Sequence, residues 1–169
     1  MNIQARIDAF FTLGDKYLTD NHPEFIDIKW KANNQNAWFL PQFIDQSVTQ
    51  IKEQFLQKKA LAEWTEMYPN IAQTPTGIKV GIVMAGNIPL VGFHDFLCVV
   101  ISGNYAVCKL SSDDKTLLPA LGHNLIQFLP ELKNRMEFTT GRIGEVDAVI
   151  ATGSDNSLKY FEQYFGKYP

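Results

Sequence analysis

Lys79-Val-Gly-Ile-Val-Met-Ala-Gly-Asn-Ile-Pro-Leu90, an apolar run from Val91 to Ile101, and Ser102-Gly-Asn-Tyr-Ala-Val-Cys-Lys-Leu-Ser-Ser112 together decide the fold of this chain. Val80 to Met84 is an apolar run of strand length, and Ala85-Gly86-Asn87 breaks it. Pro89 suits a first helical turn, Val91 to Ile101 predicts a mostly apolar helix, and Gly103-Asn104 stops it. Ala106 to Leu110 is a second strand-length run, so the stretch reads as a βαβ unit with its loop at the carboxyl end of the first strand. In open α/β sheets ligands bind at that edge.

Working outward, Asp113-Asp114 predicts a cap and early acidic charge for a helix over Lys115 to Phe128, closed by Pro130. Met136 to Thr140 and Val146 to Ala151 read as further strands around a turn at Gly141 to Gly144, and Ser157 to Phe165 as a last helix. This alternation is an α/β pattern with a doubly wound parallel sheet. Upstream, Ile3, Ile7, Phe10, Phe11 and Leu18 predict an amphipathic helix over residues 1–18. Asp20-Asn21-His22-Pro23 is a turn, Phe25 to Asn36 reads as irregular, and helical spacing resumes from Pro41 through Met67. Gln73-Thr74-Pro75-Thr76-Gly77 is the clearest linker. It divides a helical N-terminal segment, residues 1–72, from a partial nucleotide-binding α/β domain, residues 73–169.

The 169 residues suffice for a sizeable core, and 46% hydrophobic content excludes a disordered composition. A net charge of −3 with scattered Lys and Arg offers no footprint for nucleic acid. No apolar run reaches the roughly 18 residues of a membrane span, and no signal-peptide pattern opens the chain. Cys98 and Cys108 fall inside apolar elements and read as reduced core residues of a cytoplasmic protein.

Two loops at strand carboxyl ends carry the candidate chemistry, Ala85 to Pro89 and Thr152 to Asn156. Each precedes a helix whose free N–H groups suit a phosphate, although Gly86, Gly153 and Ser154 also serve as ordinary turn and cap residues. Neither standard nucleotide fingerprint is present. Lys109, at the end of the second strand, could reach a ribose or its phosphate, or be a solvated charge. Asn87 could donate to a developing oxyanion, or simply tolerate an unusual backbone. His94 and Asp95 favour capping over base catalysis; Ser111, Ser112, Asp113 and Asp114 make a turn and cap; no metal-ligand spacing occurs.

Taken together, these residues resemble the acyl-CoA reductases of the aldehyde dehydrogenase superfamily, in particular the family of the long-chain acyl-protein thioester reductase of bacterial bioluminescence. Gly81 to Leu90 is similar to the superfamily's Pro-Trp-Asn-x-Pro loop, with Ala85 and Gly86 in place of Pro and Trp. Ser102-Gly103-Asn104 to Lys109 is similar to its Ala-Gly-Asn-x-x-x-x-Lys-Pro segment, and Ala151-Thr152-Gly153-Ser154 to its Phe-Thr-Gly-Ser. The ending from Tyr160 to Pro169 fits the narrower family. The first seventy residues add no motif.

The resemblance implies a Rossmann-like, aldehyde dehydrogenase-like cofactor domain and reduction of a fatty acyl-CoA or acyl-protein thioester to an aldehyde through an acyl-cysteine. Asn87 would be catalytic, as an oxyanion donor. Ala85, Gly86, Lys109, Ser111, Ser112, Thr152, Gly153 and Ser154 would bind the cofactor. Ser112 stands where NAD-preferring members carry a glutamate, which implies NADPH, with NADH open because Asp113 and Asp114 follow. The nucleophilic cysteine of the family lies further along the chain than Pro169, so this sequence is expected to be an N-terminal fragment whose sheet exposes an edge. The full-length protein is expected to be a homo-oligomer. A non-catalytic α/β binding or assembly module, or an aldehyde dehydrogenase working oxidatively, are the alternatives.

Overall fold

A computed structural model describes residues 2–71, 77–153 and 155–169. The helical part comprises α1 (Ile3–Thr12), a π-helical turn over Leu13–Tyr17, α2 (Pro23–Gln35), α3 (Pro41–Phe55) and α4 (Lys58–Glu66). The α/β part follows as β1 (Lys79–Val83), α5 (Phe93–Ile101), β2 (Tyr105–Lys109), α6 (Leu117–Phe128), a 3₁₀ turn (Pro130–Asn134), β3 (Met136–Thr139), β4 (Ala148–Ala151) and α7 (Asp155–Phe165). The four strands form one all-parallel sheet in the order β3-β2-β1-β4, a Rossmann-like α/β arrangement. Residues 73–76 of the expected linker, and Ser154, lie outside the described residues.

The stretch expected to be irregular, Phe25 to Asn36, is helical through Gln35. Pro23 occupies the first turn, where its missing N–H costs nothing, and Phe25 and Ala32 turn a buried face inward. Weak alternation was the wrong period: with Ile28 also packed on the core, the apolar positions follow a helical spacing. The expected first helix is α1 only as far as Thr12, after which the backbone widens into the π-helical turn.

Strand alternation divides the sheet into two faces. Val80 and Ile82 of β1 and Ala106 and Cys108 of β2 belong to the main core. On the other face, the position of a Cβ on Gly81 would lie 3.4 Å from Ile143 and Val146. The main core also takes in the N-terminal helices. Phe10 packs edge-on against Phe93 and Phe96, and Arg6, only 5% exposed, donates from Nε to the Ile101 carbonyl at 2.8 Å. Burial, and behind it the Arg135 charge, lowers the pKa of Arg6.

On β4, Thr152 N donates to Val83 O, which turns Val149 to the opposite side, where its N–H meets the Pro169 carbonyl at 3.2 Å. No helix among the described residues is long and apolar enough to cross a membrane.

Candidate active site

Register places the four strand ends on one level. Val83 pairs with Lys109 and Ala151, and Lys109 pairs with Thr139. The chain moves outward from β1 through β2 to β3 and then returns to β1's other side as β4, so the carboxyl edge of β1 is the topological switch point. A cleft of about 890 Å³ opens there. Ala85, Gly86, Asn87, Lys109, Ser111, Ser112, Thr152 and Gly153 all line it. The expected set is thus brought together, with Ser154 outside the described residues.

The loop after β1 is shaped by the loop after β2. Met84 N donates to Lys109 O at 3.1 Å, continuing the ladder one residue past the strands. Gly86 then passes so close to Ser111 that a Cβ there would collide with both Cβ and Oγ of the serine. Ser111 Oγ in turn accepts from Asp113 N at 3.2 Å, and Ser112 Oγ donates to Asp113 Oδ1 at 3.3 Å. The two serines therefore hold a compact turn against the glycine.

Leu90, buried in the core, adopts φ 60°, the left-handed region, at an expense of about 1–3 kcal/mol for a residue with a branched side chain. Its N–H donates to Asp114 Oδ2 at 2.9 Å. Asp114 therefore serves two elements: its carboxylate accepts from Leu90 N–H across the sheet edge and interacts with the Leu117 amide that opens α6, where Thr116 supplies no side-chain cap. Burial pushes the Asp114 carboxyl above its ordinary pKa against the opposing pull of the Leu90 and Leu117 amides, and its buried Oδ1 has no hydrogen-bond partner among the described residues.

The loop at Thr152 is tied across to α5, the hydroxyl donating to Asp95 Oδ2 at 3.0 Å. Asp95 sits in the first turn of α5, which begins only at Phe93, with Pro89 in the turn before it. The α5 N-terminus therefore carries its own carboxylate and lies outside the cleft lining, whereas the loop before it, Ala85 to Ile88, lines the cleft. The loop before α7 does line it, through Thr152 and Gly153, and Ser157 and Phe161 of α7 complete that wall.

Neither cysteine lines the cleft, and no disulfide joins them. Burial pushes the Cys108 thiol up to about 12, and burial together with the Asp95 charge raises that of Cys98. Cys98 Sγ lies 3.7 Å from His94 Nε2, yet a thiol so raised is no ready nucleophile. His94 itself packs on the Phe55 ring at 5.1 Å.

A second cleft, about 780 Å³, lies on the other side of Gly86-Asn87-Ile88, which lines both. Its remaining wall comes from Trp38, Phe43, Gln46, Ser47 and Gln50 of the helical segment. Trp38 is 85% exposed and Phe43 47%, an apolar surface that no motif in the first seventy residues marks. Asp113 also borders both clefts, held in place by Asn36 Nδ2 on its carbonyl oxygen at 3.2 Å. Among the described residues no group of three or more His, Cys, Asp or Glu could hold a metal ion.

A parallel sheet with its crevice at the switch point and small-residue loops on its rim defines a Rossmann-like α/β protein with a ligand-binding edge. The family model for Acyl-CoA reductase (LuxC) matches residues 31–165, and the chain belongs to that family. The sequence matches no curated protein closely enough to name a relative.

Proposed function

We propose that these residues form the cofactor-binding part of an NAD(P)H-dependent reductase that converts a fatty acyl-CoA or acyl-protein thioester to the aldehyde through an acyl-cysteine. The observation that carries this reading is the place of Asn87, on the ridge between the cleft at the sheet edge and the apolar cleft beneath Trp38 and Phe43. A carbonyl at that ridge can be approached from both sides, by a cofactor from one and an acyl chain from the other.

The residues present fit a dinucleotide. The cleft combines one cation, Lys109, with a small-residue loop, Thr152-Gly153, just before α7, where first-turn N–H groups have no helical acceptors. Lys109 would hold the adenosine ribose or its phosphate, and Gly86, Ser111 and Ser112 the adjoining wall. Ser112 at the third position after Lys109 favours NADPH, and Asp113 beside it keeps NADH in play. A reduced nicotinamide, when bound, supplies the hydride.

Asn87 acts as a neutral donor. Its amide N–H stabilises the negative charge that grows on the carbonyl oxygen when a thiolate adds to the acyl carbon and expels the carrier thiol, and again when hydride adds to that carbon before the thiolate leaves the aldehyde. Cys98 and Cys108 line neither cleft, and burial raises both thiols, so this reading assigns the thiolate to neither of them. We place the intact protein in the cytoplasm as a homo-oligomer, with Leu158, Tyr160 and Tyr164 of α7, all more than half exposed, as an apolar surface for association.

Asn87→Ala in the intact protein tests the reading. Turnover of acyl-CoA with NADPH should fall by roughly one hundred to one thousandfold with little change in KM for the cofactor. Unchanged turnover rejects the oxyanion role.

A further inference from the structure

Asn87 is exposed, and its side chain makes no hydrogen bond among the described residues. Its direction is therefore set by the backbone that carries it. That backbone is braced from the β2 side at two points, one on each side of Asn87. One residue before it, Gly86 abuts Ser111 with no room for a Cβ. Three residues after it, Leu90 donates to Asp114 Oδ2. The second brace differs in kind, because it holds a buried leucine at φ 60°, a conformation that persists only where the surroundings over-determine it.

Asp114 is an expensive side chain for that purpose. Among the described residues its buried Oδ1 has no hydrogen-bond partner, a state that ordinarily costs stability and is kept where a role requires it. The same carboxylate interacts with the Leu117 amide that opens α6, which ties the loop to that helix. We infer that Asp114 is a positioning residue for the reductase reaction: by clamping the Leu90 amide it holds the loop in the one backbone path that presents Asn87 at the ridge between the clefts. The inference rests on the oxyanion role of Asn87. It adds a residue that touches neither substrate nor cofactor and that the motifs do not mark.

The test is a double-mutant cycle in the intact protein, with kcat and KM measured for acyl-CoA and NADPH. Asp114→Ala, which removes the acceptor, should lower kcat about ten- to one hundredfold with KM for NADPH within about twofold, as expected for a loop displaced by a fraction of an ångström to one ångström. Asp114→Asn keeps an oxygen for Leu90 N–H and should retain most of kcat. In the Asn87→Ala background, Asp114→Ala should cost nothing more, because the group it positions is gone. Full additivity of the two losses, or an Asp114→Ala enzyme with wild-type kcat, overturns the inference while leaving Asn87 in its role. An Asn87→Ala enzyme with wild-type kcat overturns the functional reading itself.

If Asp114→Ala does not fold, Asp114→Ser, too short to reach Leu90, carries the same cycle. Amide hydrogen exchange supplies a readout independent of turnover. Leu90 N–H should lose protection in these variants while Ile82 and Val107 in the sheet keep theirs. Equal protection at Leu90 in wild type and variant would also overturn the inference.

Discussion

Gly86→Ala is the most direct probe of how the two loops at the sheet edge depend on one another. A Cβ on Gly86 would collide with Ser111 Cβ as well as Oγ and sit 3.2 Å from Asp113 Cβ. Ser111 cannot relieve this by rotating, because its Cβ moves only with the backbone. The backbone is in turn held by Asp113 N on Ser111 Oγ and by Met84 N on Lys109 O. The overlap should therefore cost about 1–3 kcal/mol, the range for inserting a methyl into a filled site. With a urea slope of about 2 kcal/mol/M, the unfolding midpoint falls by roughly 0.5–1.5 M at an unchanged slope.

Gly144→Ala, where a Cβ meets nothing within 4 Å, is the matched control and should leave the midpoint within a few tenths of a molar. Ser111→Gly vacates the space, so it should recover most of the loss when combined with Gly86→Ala, though on its own it removes the acceptor for Asp113 N–H at about 0.5–1.5 kcal/mol. The reasoning is refuted if Gly86→Ala unfolds with the wild-type midpoint, or if Ser111→Gly adds its full penalty in the double variant.

Two further outcomes follow from shifted ionisations. Asp114 is held above its ordinary value of 3.8, so the folded state binds that proton more tightly than the unfolded chain. Its contribution to stability is greatest below 3.8, is lost as pH rises to the raised value, and is flat beyond it. Asp114→Asn should therefore lose less stability than wild type on going upward through that window, measured as urea midpoints at stepped pH; parallel profiles would contradict the burial of the carboxyl. For the thiols, iodoacetamide at pH 8 should leave Cys108 unmodified in the folded protein, label Cys98 far more slowly than a free cysteine, and label both in urea, as followed by mass spectrometry. Fast native labelling of Cys98 would contradict its raised thiol.

The α/β half was legible because its signals are local. Short apolar runs ending in Ala85-Gly86-Asn87 and Ser111-Ser112 mark strand ends, and a parallel sheet brings those ends to a common edge. The loop residues named from the motifs accordingly share one cleft. The helical half was less legible, since α2 hides its apolar positions among Lys, Asn and Gln, and only Phe25 and Ala32 are fully buried. Trp38 and Phe43 gave no signal at all, because their significance comes from facing Asn87 across a cleft formed by distant segments. Asp114 was read only as a helix cap for a similar reason: its second partner, Leu90, lies 24 residues back.

The hydrogen bond from Arg6 to the Ile101 carbonyl spans 95 residues of sequence. During synthesis at roughly 5–20 residues per second, α1 waits about 5–20 s for that partner, and Phe10 for Phe93 and Phe96 only slightly less. Helix α4 already packs on α1 and α3 on α2, but the part of the α1 face that meets α5 stays uncovered until α5 emerges. A ribosome stalled between α4 and β1 would hold a nascent chain with that part of α1 still exposed.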